Sequence, residues 1–518
     1  MFSSGLVVAT PAFCGFPDDV FASHDDGTSS QALQDIVSSI NSDDADDTTA
    51  GRVNAQVKAF YDARGYRLAW SGSEEAAERA AAVKGALTHA DRQGLRSKDY
   101  TSALARWSDA PQSQDAADFD VAMTGALIRY ALDVRLGRTS PHQIYKDVRF
   151  PSKQFDVATA LDTAVRDGSI SEFLAELPPP HPGYHWLSEA LAHYLAINEK
   201  GGWPNMSAKS GKALAQRLAY EDPTLAQTPD PSGSDIQEAL VRFQHRNGLE
   251  ASGKLDSETV SALNVPASRR AQVIVANMER WRWVPRSFEN RYILVNVPDQ
   301  SLDFIEDQSS KLHSKVVIGK KTSPTPLMRT TVDGVVANPP WDIPDDIAAK
   351  KFIPLLRHNR HALSSHNMAL TSSGQLEQRP GPGNVLGRLM LDSENDFGVY
   401  MHDTADKKLF LLSDREKSNG CIRVEKINPL ASLVMGHDPD DGEDEDIKQA
   451  IDSGKTQELE LSEPVAVYVL YWTAMAGSDG TVQFRPDLYG RDATLIAQLG
   501  DTVRAPRKKS GRVTAAVP

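Results

Sequence analysis

At Arg291 the hydrophobic period of this chain changes, and the change limits what the chain can fold into. Before it, apolar residues recur at three- and four-residue spacings, the pattern of helices with one buried face. After it come short runs rich in β-branched and aromatic residues: "YILVNV", "LDFIE", "KVVIG", "VYMH", "LFLL" and "AVYVLYW". Turn signals separate them. A helical N-terminal half followed by a β-rich C-terminal half predicts a multidomain α+β protein. The length of 518 residues is enough for about three domains.

Within the helical half, "VNAQVKAFYDARGY" puts Val53, Val57, Phe60 and Tyr61 on one stripe. "DVAMTGALIRYALDVRLGR" predicts a second helix, ending near Gly137. Residues 181–204 predict a third, stopped by Gly201, Gly202 and Pro204. Residues 207–265 read as a compact three-helix unit. There Ser234 and Gln237 form a capping-box pattern, Ile236, Leu240 and Phe243 follow on one face, Gly248 ends the helix, and Asp256 caps the next. In the β-rich half, residues 345–367 look helical and predict a lid or insertion. "DPDDGEDED" at 438–446 reads as a solvated acidic loop, since its spacing does not match a calcium-binding EF-hand loop.

The ends are polar. Residues 23–50 lack apolar periodicity and predict a disordered leader. Leu6 to Phe16 is apolar and "VFAS" follows, as in an export signal, but no Lys or Arg precedes Arg52 and Pro11 and Gly15 break the run. A truncated export signal and a disordered N-terminus both fit. The tail after Thr502 predicts disorder. These readings give a leader at 1–50, a helical scaffold at 51–206, the small module at 207–265, a β-rich domain at 266–500 with its insertion at about 345–385, and a basic tail at 501–518. No run reaches the roughly 18 apolar residues of a membrane helix. A net charge of −14, from 56 basic and 70 acidic residues, argues against general nucleic-acid binding.

Only two cysteines occur, Cys14 and Cys421, so no disulfide framework exists. Cys14 sits in the leader, with no role assigned. Cys421 sits in "KSNGCIR", 19 positions after His402 of "VYMHDT". A thiol becomes a nucleophile as its thiolate, and a neighbouring imidazole is the common base. A turn, the strand "LFLL" and a return would bring the two together. Gly420 permits close approach, and the Gly420 and Cys421 amides would form an oxyanion site. Arg423, two positions on, shares a face with Cys421 in an extended segment and could grip a carboxylate. The residues alone leave a plainer reading open: Cys421 a small buried hydrophobe, His402 a hydrogen-bonded core residue, Arg423 paired with Glu425. A zinc site lacks ligands, with one Cys and one His.

"YMHDT" and "SNGCIR", with fifteen residues between His402 and Ser418, resemble the signature of the YkuD-type L,D-transpeptidase catalytic domain, with one departure: Asn419 stands where many members carry His. "HPGYHWLSEAL", "GGWP", "NPPWDIP", "RPGPGNVLG" and "DGTVQFRPDLYGRD" resemble landmarks of the large periplasmic YcbB-like subgroup. "ALVRFQHRNGLEASGKLDSETVSALN" is similar to its peptidoglycan-binding-like module. The resemblance implies Cys421 as nucleophile toward a peptidoglycan stem peptide, His402 as base, and Asp403 as the backbone that orients the imidazole. It implies a pocket lined by Arg423, Tyr400, Ser418, Asn419 and Trp341, and a lid over it. It also implies release of D-alanine, 3-3 cross-linking of donor and acceptor stems, acylation by carbapenems, a role in cell shape and a periplasmic site of action. Neither a metal nor an organic cofactor is called for, and glycan contact through the 207–265 module is a further implication. The same thiol would also serve an L,D-carboxypeptidase or an enzyme anchoring proteins to the wall. A non-catalytic wall-binding scaffold is the alternative of a different class.

Overall fold

The computed structural model describes residues 26–41, 48–107, 115–207, 211–354, 361–439, 442, 444–500 and 502–503. The export-signal pattern, Cys14, part of the acidic loop and the basic tail after Val503 lie outside them. The protein is a multidomain α+β chain that divides into two compact units. The first takes the described parts of Met1–Gly85, Tyr100–Arg129 and Asp156–Phe173; the second takes the rest. The stretch expected as one scaffold thus contributes to both.

In the first unit the expected leader is partly folded. Asp26–Ser39 is a helix that buries Leu33 and Val37. These residues, with Ile36 between them and Ile40 beyond, do make a helical stripe, hidden by the polar composition around it. Thr49–Ala63 follows, burying Val57, Phe60 and Tyr61 as expected. The unit is tied by one buried carboxylate. Asp120 accepts Ala69 N–H at 2.8 Å, Trp70 N–H at 2.9 Å, Tyr61 O–H at 2.9 Å and Ser71 O–H at 3.2 Å. Thr124 Oγ1 accepts the Trp70 indole N–H at 2.8 Å.

In the second unit the β-rich region closes on itself. The ring is made of eight strands, β1 (Arg291–Asn296), β2 (Ser301–Glu306), β3 (Ser309–Gly319), β4 (Leu327–Ala337), β5 (Leu389–Asp392), β6 (Met401–His402), β7 (Ile422–Val424) and β8 (Gln457–Leu470). They pair in the order β4-β8-β1-β2-β3-β7-β6-β5, and β5 returns to β4. Such closure leaves no open edge within the ring. Register partners Leu391, Met401 and Ile422 share one face and join the apolar core with Ile293, Val295, Leu302, Phe304, Val316 and Ile318. Helix Ala267–Trp281 lies against helix Pro182–Glu199, and Trp281 stacks on Trp472 with ring centroids 4.2 Å apart.

The small module folds around Leu214, Leu218, Leu240, Phe243 and Leu263. Its capping box is built by Ser232 and Asp235, two residues before the pair expected at Ser234 and Gln237. An anionic Asp at N3 closes it, so a search for Glu or Gln picks the wrong serine. Asp256 caps Ser257–Leu263 as expected. In the insertion, Asp345–Ile347, the π-helical turn Ala348–Phe352 and Ala362–Ser365 are helical, with 355–360 outside the described residues, and strands flank them. Trp341–Asp342, Leu376–Gln378 and Met368–Leu370 form a three-stranded sheet over a separate core of Ile343, Ala348, Met368 and Leu376.

"LFLL" is not a strand. Lys407–Leu411 is a 3-10 helix that buries Phe410 and leaves Leu411 exposed. The reason is topological: β6 and β7 are parallel neighbours, so a crossover must join them in place of a hairpin. After the helix, Glu416–Ser418 runs parallel to β3 before the chain enters β7.

Asp120→Ala would leave four donors without their acceptor. It is expected to lower stability by about 3 kcal/mol or more, against about 1 kcal/mol for Ser71→Ala. The urea midpoint of each variant, read by tryptophan fluorescence, measures both.

Candidate active site

Strand alternation sets the site. Met401 and Ile422 point into the core, so their neighbours His402, Cys421 and Arg423 emerge on the opposite face. His402 is the register partner of Arg423, and Ile422 N–H donates to Tyr400 O at 2.9 Å. His402, Cys421 and Arg423 line one cavity of about 460 Å³ with Ser418, Asn419 and Trp341.

The loop carrying the thiol is held from two sides. Ser418 Oγ accepts Gly420 N–H at 3.1 Å and donates to Cys421 O at 2.6 Å. Thr325 Oγ1 donates to Gly420 O at 2.8 Å and accepts Gly319 N–H at 2.9 Å. Tyr489 O–H donates to Gly319 O at 2.5 Å and accepts Thr325 N–H at 3.3 Å. Because the Gly420–Cys421 peptide is planar, fixing its carbonyl also fixes the direction of Cys421 N–H. Gly420 has φ +124°, a conformation that favours glycine. The expected oxyanion pair is corrected here: Gly420 N–H is engaged by Ser418, leaving Cys421 N–H as the candidate donor.

His402 is 2% exposed, and its Nδ1–H donates to Asp403 O at 2.5 Å. That bond leaves Nε2 with the lone pair. The Asp403 carboxylate is itself tethered, accepting Arg388 N–H at 2.9 Å and pairing with Lys407. Gly387, at φ +71°, packs so close to Asp403 that a Cβ there would collide with its side chain. Asn384 donates to the carbonyls of Pro339, Gln378 and Arg379, joining "RPGPGNVLG" to "NPPWDIP".

Burial, and secondly the charge of Arg423, hold the His402 imidazole down to about 4; the carbonyl of Asp403 opposes them. Burial pushes the Cys421 thiol above the ordinary cysteine range, against a backbone hydrogen bond from Tyr400 and the charge of Arg423. Both shifts favour neutral thiol and imidazole over a thiolate–imidazolium pair.

Of the residues expected at the site, Tyr400 has its phenol raised by burial, then by Asp392 and the nearby Cys421, and its main chain holds β7 and bonds to Cys421. Asp403 and Gly420 likewise act through the backbone. Trp341 is a wall residue on the lid sheet, with Phe352 edge-on at 6.3 Å. Among the described residues Arg423 makes no ion pair with Glu425 and its Nε is buried without a partner; burial lowers its pKa, opposed by Cys421 and then Asp406. Sequence reading missed Thr325, Asn384, Gly387, Lys407 and Tyr489. Three of these lie in landmark stretches already singled out, but nothing local marked them as supports of the site.

The site lies inside one of three stretches of the chain that match known families. Residues 290–456 match the "L,D-transpeptidase catalytic domain", residues 212–263 a "Putative peptidoglycan binding domain", and residues 55–191 a "Scaffold domain". The chain thus carries a YkuD-type L,D-transpeptidase catalytic domain behind a peptidoglycan-binding-type module. A "Putative L,D-transpeptidase" of Haemophilus influenzae is 26% identical over 341 residues, covering 60% of this chain and 66% of that protein. The chain therefore spans just under two thirds of the relative's length. Among solved structures, "Structure of the Ldtfm-avibactam carbamoyl enzyme" aligns over 35% of this chain and 49% of its own, at 17% identity and TM-score 0.18. An L,D-transpeptidase (Yku) from Stackebrandtia nassauensis aligns over 51% and 92%, at 14% identity and TM-score 0.21. Neither likeness is close enough to bear on the geometry.

Two measurements probe the pair. Iodoacetamide alkylation of Cys421 is expected to rise steadily with pH through neutrality and beyond, because the thiolate is scarce below the raised pKa. A plateau between pH 5 and 8 would mean a standing thiolate–imidazolium pair. In Gly387→Ala, displacement of Asp403 should admit water to His402 and move its titration from about 4 toward about 6.5, read by NMR of labelled histidine.

Proposed function

We propose that this protein is a peptidoglycan L,D-transpeptidase that forms 3-3 cross-links through a Cys421 thioester. The observation that carries the reading is the emergence of His402 and Cys421 on one face of two adjacent parallel strands, in one cavity, inside the matched catalytic domain.

In this reading a donor stem peptide enters the cavity with the carbonyl between its third and fourth residues against Cys421. His402 Nε2 takes the thiol proton as sulfur attacks, and Cys421 N–H faces the developing oxyanion. The tetrahedral intermediate collapses, and the same proton passes to the amine of the departing D-alanine. A thioester remains. An amine on the third residue of a second stem then attacks it, His402 removes the amine proton, and sulfur leaves with that proton restored. Thiol and imidazole return to their starting states, and no redox equivalent is consumed. Asp403 O keeps the imidazole in one tautomer throughout, while Trp341 and Asn419 bound the site. A substrate in the cell wall places this action outside the cytoplasm, in the periplasm.

Intact mass after mixing with a carbapenem is the direct test. The wild type is expected to gain one adduct, Cys421→Ala none, and His402→Ala the same adduct at least ~100-fold more slowly. Disaccharide-tetrapeptides should then yield cross-linked dimers and free D-alanine. A folded wild-type protein that takes no adduct from either reagent would overturn the reading, and tripeptide as the sole product would make it a carboxypeptidase.

A further inference from the structure

The charge of the cavity is opposite to that of the chain. The protein has 14 more acidic than basic residues, yet among the described residues the cavity wall holds four cations, Lys320, Lys350, Lys351 and Arg423, and no Asp or Glu. They come from separate places. Lys320 directly follows β3 and its N–H donates to Ser418 O at 3.1 Å, fixing it beside the nucleophile loop. Lys350 and Lys351 lie on the π-helical turn Ala348–Phe352 of the lid, and Arg423 lies on β7. Asp342, Asp392 and Glu394 are near enough to raise the Tyr400 phenol, and Asp406 near enough to act on Arg423, but none of them lines the cavity.

From this arrangement we infer that the site selects its substrate by charge, taking a stem peptide with free carboxylates and discriminating against one whose carboxylates are carboxamides. The inference rests on the transpeptidase reading and names the chemistry its substrate must carry. Cations converging on one enclosed volume attract an anion more strongly than they would on an open surface, because the walls exclude water and focus the field. Catalysis itself calls for no more than one cation near Cys421. The three lysines lie after β3 and on the lid, on elements other than the strand that carries Arg423, and would meet the peptide away from the scissile carbonyl. An amidated stem has nearly the same shape, so the discrimination arises from charge and not from fit. Selection of this kind weakens as salt screens the exposed lysines.

The test measures acylation of the full-length protein, as thioester adduct by intact mass, with two disaccharide-tetrapeptides that differ only in free or amidated side carboxylates. The wild type is expected to prefer the free form by roughly tenfold or more in kcat/KM, and the preference should shrink in 0.5 M salt. In Lys350→Gln/Lys351→Gln the ratio of free to amidated kcat/KM should fall toward about one, and Lys350→Arg/Lys351→Arg should restore it. Equal acylation by both stems in the wild type would overturn this inference alone. So would a Gln variant that keeps the wild-type ratio, or one in which Arg fails to restore it. Acylation by neither stem would overturn the transpeptidase reading and this inference with it.

Discussion

The parallel pairing of Met401–His402 with Ile422–Val424 is the constraint on which the site depends. It spans only two register pairs, yet it puts the imidazole beside the guanidinium and sends both away from the core. Parallel neighbours cannot be joined by a tight turn, so residues 403–420 must leave the strand, cross β3 and return. The crossover brings Ser418 under the thiol loop, and the close of the ring through β5 brings Gly387 against Asp403. Short strands of this kind hold their positions because the core residues on their inner face are almost wholly buried.

Around that pairing the backbone does much of the positioning. The His402 imidazole is oriented by a carbonyl, the nucleophile loop by the carbonyls of Gly420 and Cys421, and β7 by the carbonyl of Tyr400. Side chains reach the site mainly to hold these groups still. Thr325 and Tyr489 form one such brace, and Tyr489 is in turn fixed by Tyr471 O–H, which accepts its N–H at 2.8 Å. The C-terminal stretch thus supports the nucleophile without touching the cavity.

Much of this was legible in the residues. The change of period at Arg291 marks where the ring begins, and the spacing of His402, Cys421 and Arg423 fits their shared face. What the sequence hid was of three kinds. The helix Asp26–Ser39 was masked by polar composition, although Leu33 and Val37 keep the helical interval. "LFLL" has strand-forming residues, but its fate was set by the crossover, a long-range demand that no local window contains. Thr325 and Asn384 act by side-chain bonds to distant main chain and Gly387 by close approach, which leave no local signature.

The protonated resting state of Cys421 has a consequence for the survival of the enzyme. Peroxides and disulfides react with thiolate far faster than with thiol, and this half-buried sulfur is held as thiol by its surroundings. The burial that raises the thiol pKa therefore also slows the path to sulfenic acid.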